Sequence, residues 1–205
     1  MQADRFYHIY NRTNNNELLF KVEENYYYFL NQFEKYLFPI VEVYAYCLMG
    51  NHFHFVLKIK DENELKIFFN EKLSKVKPLE SSLGAKKLEA ELIERLISRQ
   101  FGHFFNSYTQ ALNKSINRKG SLFTPNFKRK EIDTDNYLKQ VILYVHLNPV
   151  LHGVMKEFEN YKHSSYQSIL SNKGSKIKGS KVIELFNDVE NFVFVHQQRK
   201  CDNEL

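Results

Sequence analysis

Tryptophan is missing from the 205 residues, and cysteine occurs only twice, as Cys47 and Cys201. Two thiols so far apart, one in a strand-like run and one near the terminus, do not suggest a disulfide, and a reducing cytoplasm is the expected compartment. No apolar run approaches the ~20 residues that a membrane-spanning helix needs, so no membrane partner is expected. The opening Met1-Gln2-Ala3-Asp4-Arg5 leads straight into a strand-like segment, without the apolar stretch of a signal peptide. Internal repeats and low-complexity runs are absent as well. What is plentiful is aromatic surface, with 18 Phe and 13 Tyr. Hydrophobic content of 43% and charged content of 26% describe a soluble globular chain, long enough for one domain with an appended tail. The formal charge of +5 is compatible with nucleic acid without requiring it. Aromatic faces among Lys and Arg suit a single strand, although most Phe are expected in the core.

Residues 6–13 alternate apolar and polar side chains and read as a strand, followed by an Asn14-Asn15-Asn16 turn. Helical spacing over 23–38 predicts a helix that Pro39 closes. A second strand over 40–48 meets a third over 52–59 through a tight Gly50-Asn51 turn. Helices are expected over 61–76 and 88–116, the latter with an interruption near Gly102, and a loop over 77–84. A basic turn over 117–120 leads to a strand over 122–132 that Pro125 interrupts. Thr134 and its Asp neighbours offer an N-cap for a helix over 136–147 that ends at Pro149. A basic loop over 172–181, with Lys173, Lys176, Lys178 and Lys181, precedes a last apolar piece over 182–195. The order predicts an α+β, ferredoxin-like sandwich: an antiparallel four- to five-stranded sheet with helices on one face, in which the central hairpin places the histidine pair in the middle of the sheet.

The chemistry is concentrated in His52-Phe53-His54-Phe55. On a strand, alternate side chains share a face, so His52 and His54 point together while both Phe point away. Paired imidazoles are half of a metal site. The same pattern also occurs where histidines only hydrogen-bond inside a core. On the later helix, Tyr144 and Asn148 lie one turn apart on one face, with Tyr137 two turns before on nearly the same stripe. An amide oxygen there could be a third metal ligand and a phenol a nucleophile; by composition alone, core packing of Tyr144 and a helix end at Asn148 before Pro149 are the stronger account. Tyr108 is a rival nucleophile that lacks an Asn one turn on. His8 either approaches a ligand or hydrogen-bonds within the sheet. Cys47, on the strand before the histidines, leaves structural zinc open.

Together, Tyr7-His8-Ile9-Tyr10-Asn11-Arg12, Tyr46-Cys47-Leu48-Met49-Gly50-Asn51-His52-Phe53-His54, Gly120-Ser121-Leu122-Phe123 with Phe127-Lys128-Arg129-Lys130, Tyr144-Val145-His146-Leu147-Asn148-Pro149-Val150 and Ser164-Ser165-Tyr166 carry a resemblance. In this order they resemble the single-tyrosine HUH transposases, in particular the REP-associated tyrosine transposases with an IS200-like domain. Gly50 departs from the family's Pro, and Lys162-His163 stands where Trp is common.

The resemblance implies a transposase domain over 1–170 and a basic extension over 171–205. It implies a metal-dependent enzyme that cleaves and rejoins single-stranded DNA through a 5′-phosphotyrosine, with Mg²⁺ or Mn²⁺. Tyr144 matches the nucleophile, and His52, His54 and Asn148 match the metal ligands. Arg12, Arg118, Lys119, Lys128, Arg129 and Lys130 are the expected DNA contacts. The partner is single-stranded or hairpin DNA, and the chain acts as a monomer or a homodimer. Two alternatives stand beside this: a catalytically inactive or domesticated nucleic-acid-binding relative of the same fold, and a phosphodiesterase that hydrolyses without a covalent intermediate.

Overall fold

A computed structural model describes residues 1–74, 90–171 and 176–203. The chain forms two compact units that interleave along the sequence: a helical one, Met1–Arg5, Tyr27–Val41 and Ile59–Gly120, and a sheet-bearing one, Phe6–Tyr26, Glu42–Lys58 and Ser121–Leu205. The expected loop over 77–84 lies outside the described residues, as does Lys173.

The helical unit holds most of α1 (Glu23–Leu37), with α2 (Glu62–Ser74) and α3 (Ala90–Ser115). Its core is aromatic. Phe29 meets Phe104 and Tyr108 edge-on at 5.0 and 4.9 Å between ring centres. Tyr108 is therefore a packed core ring, 1% exposed, and not a rival nucleophile. The interruption expected near Gly102 does not occur, and α3 runs through it. The helix buries Ile97, Phe101, Phe104, Tyr108 and Leu112 along one stripe. Each fully buried apolar side chain contributes roughly 1.5–3 kcal/mol, against about 1 kcal/mol that an interior Gly costs.

The other unit carries β1 (Phe6–Arg12), all but the first residue of β2 (Val41–Met49), all but the last of β3 (His52–Ile59), and β4 (Lys128–Ile132), ordered β2-β3-β1-β4. β1 pairs antiparallel with both β3 and β4. This is the ferredoxin-like α+β arrangement, and β3 is interior as expected. β4 is shorter than the expected 122–132. Phe123 makes only an isolated bridge to Thr13, because Pro125 cannot donate to a ladder and Asn126 turns to a positive φ of 59°.

Helix α4 (Asp135–Leu151) starts at Thr134, whose side chain accepts from the Tyr137 N–H. It does not stop before Pro149, where the sequence predicts its end; Pro149 lies inside the last turn. Only one intrahelical bond is lost there. The turn is closed instead by the His152 N–H on the Asn148 carbonyl at 3.0 Å and by Gly153, whose positive φ of 64° ends the helix. The inner side of α4 buries Val141, Ile142 and Val145 in one cluster with Val56 of β3 and Ile132 of β4. Past residue 165 the described residues carry three helices, α5 (Tyr166–Ser171), α6 (Gly179–Leu185) and α7 (Val189–Asn203). Val182, Phe186 and Phe192 from them complete the same core. Among the described residues no helix is long and apolar enough to cross a membrane.

Candidate active site

The register of the sheet decides which side chains meet. Tyr10 stands opposite His54, Arg12 opposite His52 and His8 opposite Val56, so these residues share one face. Helix α4 lies over that face with Tyr144 and Asn148 turned toward it. The His54 and Tyr144 rings are 5.5 Å apart and perpendicular. His52 Nε2 is 3.3 Å from Asn148 Oδ1. The four residues picked out in the sequence thus converge, two from a strand and two from a helix about ninety residues later.

The hydrogen bonds give this cluster its chemistry. His52 Nδ1 is 2.7 Å from Asn51 Oδ1. With Nδ1–H donating there, Nε2 keeps its lone pair. Asn148 Nδ2 donates to the Tyr144 carbonyl at 3.2 Å, which turns Oδ1 toward His52. Two acceptors then face each other in a buried corner. That is unfavourable for a neutral pair, and it suits a cation that both can ligate. His54 Nδ1 lies 2.9 Å from His8 Nε2. Burial holds these rings neutral: His54 is pushed down to about 2, with His8, His52 and His152 adding to the effect, and His8 to about 4, helped by Lys130. His52 is lowered too, first by burial, with the Asn148 contact opposing. Neutral imidazoles are the form that binds metal.

Among the described residues no group of three or more His, Cys, Asp and Glu converges as a metal site. Two imidazoles and one carboxamide are the donor set on offer: the imidazoles lean toward transition metals, and the amide oxygen suits Mg²⁺ or Mn²⁺. Cys47 belongs to the apolar core, its Sγ 3.6 Å from the Met49 sulfur. Burial pushes its thiol far up, which does not suit a zinc thiolate.

A cavity of about 590 Å³ opens beside the cluster, lined by Arg12, His52, His54, Lys128, Tyr144 and His152 among others. Among the described residues no carboxylate lines it. A second cavity of about 400 Å³ shares His54 and Tyr144 and is bordered by His8, Lys130, Tyr137 and Arg199. Tyr144 stands between the two, 40% exposed, as an attacking group should.

The six basic residues expected at DNA are not equivalent. Arg12 and Lys128 line the first cavity and Lys130 the second. Lys130 also lies 4.9 Å over the Tyr137 ring. Arg129 falls between them on the strand and turns to the other face, opposite Ile9, with its guanidinium 6.0 Å from the Phe127 ring. Arg118 and Lys119 belong to the helical unit, and neither lines the cavities. Arg118 donates instead to Asn113 Oδ1 and the Gly120 carbonyl, both at 3.0 Å.

Sequence reasoning missed His152, whose ring lies 4.9 Å from that of His52. The signal was there: it follows Asn148 by one turn, but ending the helix at Pro149 removed it from the stripe. Arg199 was missed for a similar reason, since it depends on how α7 folds back.

No protein-family model and no curated protein sequence matches the chain. Among solved structures, a REP-associated tyrosine transposase bound to a REP hairpin is similar, with a TM-score of 0.54 and 14% identity, over 83% of this chain and 81% of that one. At that identity the likeness is one of fold, and it extends over most of both chains.

Proposed function

We propose that this chain is a single-strand DNA transposase of the tyrosine type. The observation that carries the proposal is the meeting of His52 and His54 with Tyr144 and the buried Asn148 beside an open cavity that no carboxylate among the described residues lines. Its fold is shared with a protein that was solved on a DNA hairpin, which supports the same class of partner here.

Each side chain has a task. Arg12 and Lys128 hold phosphates of the strand that enters the first cavity, and Lys130 holds one beyond Tyr144. His52, His54 and Asn148 would hold Mg²⁺ or Mn²⁺, which supplies charge stabilisation to the oxygens of the scissile phosphate. The Tyr144 oxygen attacks phosphorus. A Tyr–O–P bond forms, the bond from phosphorus to the 3′ oxygen breaks, the phenolic proton passes to cavity water, and the leaving 3′ oxygen takes a proton from water. The products are a 5′-phosphotyrosine and a free 3′-hydroxyl. The energy of the broken bond is retained in the adduct, so the reverse attack rejoins DNA without a nucleotide cofactor.

The test uses a labelled, hairpin-flanked single strand with Mn²⁺ or Mg²⁺. A protein–DNA adduct that resists denaturation is expected, and Tyr144→Phe should lose it while still binding DNA. Undiminished cleavage by Tyr144→Phe would sink the covalent route and favour direct hydrolysis. Binding without any cleavage by the wild type would point to an inactive relative.

A further inference from the structure

His8 is outside the donor set, yet it makes the only hydrogen bond found for the His54 side chain among the described residues. The two rings are partly stacked, with centres 5.1 Å apart and planes 25° apart. Both residues are buried, at 8% and 6% exposure. The contact joins neighbouring strands, β1 and β3, so it is built into the sheet and not made by a mobile side chain.

The same ring atom is tied down in both histidines of the pair. His52 uses Nδ1 on Asn51, and His54 uses Nδ1 on His8. Both Nε2 atoms are left for the space beside Tyr144 and Asn148. A neutral imidazole carries one proton, and the nitrogen with the proton cannot ligate. Asn51 can settle the question for His52 by offering a carbonyl oxygen. His8 can settle it for His54 only if its Nε2 is bare.

We infer that His8 is a positioning residue: its Nε2 accepts the Nδ1–H of His54, its own proton sits on Nδ1, and His54 is thereby held with Nε2 free to bind a divalent cation. This deepens the proposed function and rests on it, because the reverse direction of the bond would leave His54 with Nε2–H and no lone pair for the cavity. A metal-bound imidazole usually donates its second N–H to a carboxylate, carbonyl or water. Here a neutral imidazole takes that part, and no negative charge is brought in. The donor set therefore stays uncharged, and the phosphate of the DNA is left as the anion that balances the cation.

The experiment reads the tautomer in metal-free protein, by two-bond ¹H–¹⁵N correlation on histidine-labelled chain near neutral pH. His54 is expected with Nδ1 protonated and Nε2 bare. His8→Phe, which keeps the ring and removes the acceptor, should shift His54 to a mixture of tautomers. His8→Gln, whose Oε1 can accept, should restore Nδ1–H. In Mn²⁺ titrations with the hairpin-flanked strand present, His8→Phe should weaken the half-saturation point about tenfold or more, and His8→Gln should recover most of it. His54 found mainly as Nε2–H in the wild type overturns the inference. So does an unchanged tautomer, or unchanged Mn²⁺ affinity, in a His8→Phe protein that melts like the wild type. If Mn²⁺ broadens neither His52 nor His54 while the tautomer is as stated, the metal reading fails and the proton assignment survives.

Discussion

Two histidine pairs flank helix α4, each with ring nitrogens 2.9 Å apart. His8 and His54 lie on the sheet under Tyr144, while His146 of α4 joins His196 of α7 on the opposite side. Both pairs are buried and neutral. The second is closed at every atom. The His196 Nδ1–H donates to the Phe192 carbonyl at 2.7 Å, so Nε2 accepts from His146 Nδ1–H. His146 Nε2 then accepts from the Ser165 hydroxyl at 2.8 Å, and Ser165 Oγ accepts from the Tyr46 N–H at 2.8 Å. This chain of bonds has one direction and leaves nothing for a ligand. It ties β2, α4, α7 and the Ser164-Ser165 motif together. In the first pair, His54 Nε2 has no protein hydrogen-bond partner among the described residues, and His54 and His8 both border a cavity. Burial and neutrality are common to structural and functional histidines. An unsatisfied nitrogen facing open space separates them.

The largest effect that should split the two regions is on chemistry. His52→Ala is expected to lower adduct formation by about 10³-fold or more, as chelation of divalent ions should in the wild type. The same substitution should change stability by about 1 kcal/mol or less, since His52 is half-buried beside open space. Gel assays and urea unfolding on one preparation check both. Comparable losses in the two assays would erase the distinction.

His146→Ala should do the opposite. It empties a fully buried site and strands Ser165 and His196, with a cost of about 3–5 kcal/mol in urea unfolding. Adduct yield per folded molecule should hardly change.

Acid should expose the closed pair. His196 is held at about 4 in the folded protein, mainly by burial, against 6.5 in the unfolded chain. The unfolded state therefore takes up a proton that the native state refuses. Stability from this group is full above pH 6.5 and declines as pH falls toward about 4. The loss approaches about 3 kcal/mol. His196→Gln should flatten that part of the profile between pH 7.5 and 4.5. An identical slope in the variant would show that His196 does not titrate in this way.

The smallest effect concerns the strand of cations. Lys128→Ala and Lys130→Ala should each reduce the log–log salt slope of DNA binding by about 1, and Arg129→Ala should leave it nearly unchanged. Fluorescence anisotropy over a range of salt resolves this. Equal effects at all three positions would mean that strand alternation does not select the contacts.

Much of the site is legible in the order of residues along the chain. The alternation in His52-Phe53-His54-Phe55 requires that the imidazoles share a face, and the four-residue spacing of Tyr144 and Asn148 requires that they share a stripe. The basic triplet is less clear. Lys128, Arg129 and Lys130 are alike as charges, and only their places on β4 and its pairing with β1 show which two face the histidines. Pro149 and Gly102 mislead because local rules expect a break where tertiary burial overrides it. Losing the last turn of α4 also hides His152.

By itself, then, the sequence determined the element order, the two-residue period that joins His52 to His54 and the helical period that joins Tyr144 to Asn148. These are local properties of backbone geometry, and they hold wherever the elements end up. Tertiary structure alone decided that the two halves meet, that His8 is bonded to His54, and that His146 is sealed while His54 is open. Those outcomes depend on register between distant strands and on where α7 docks. Chemically identical imidazoles are distinguished there only by what each ring nitrogen finds within about 3 Å.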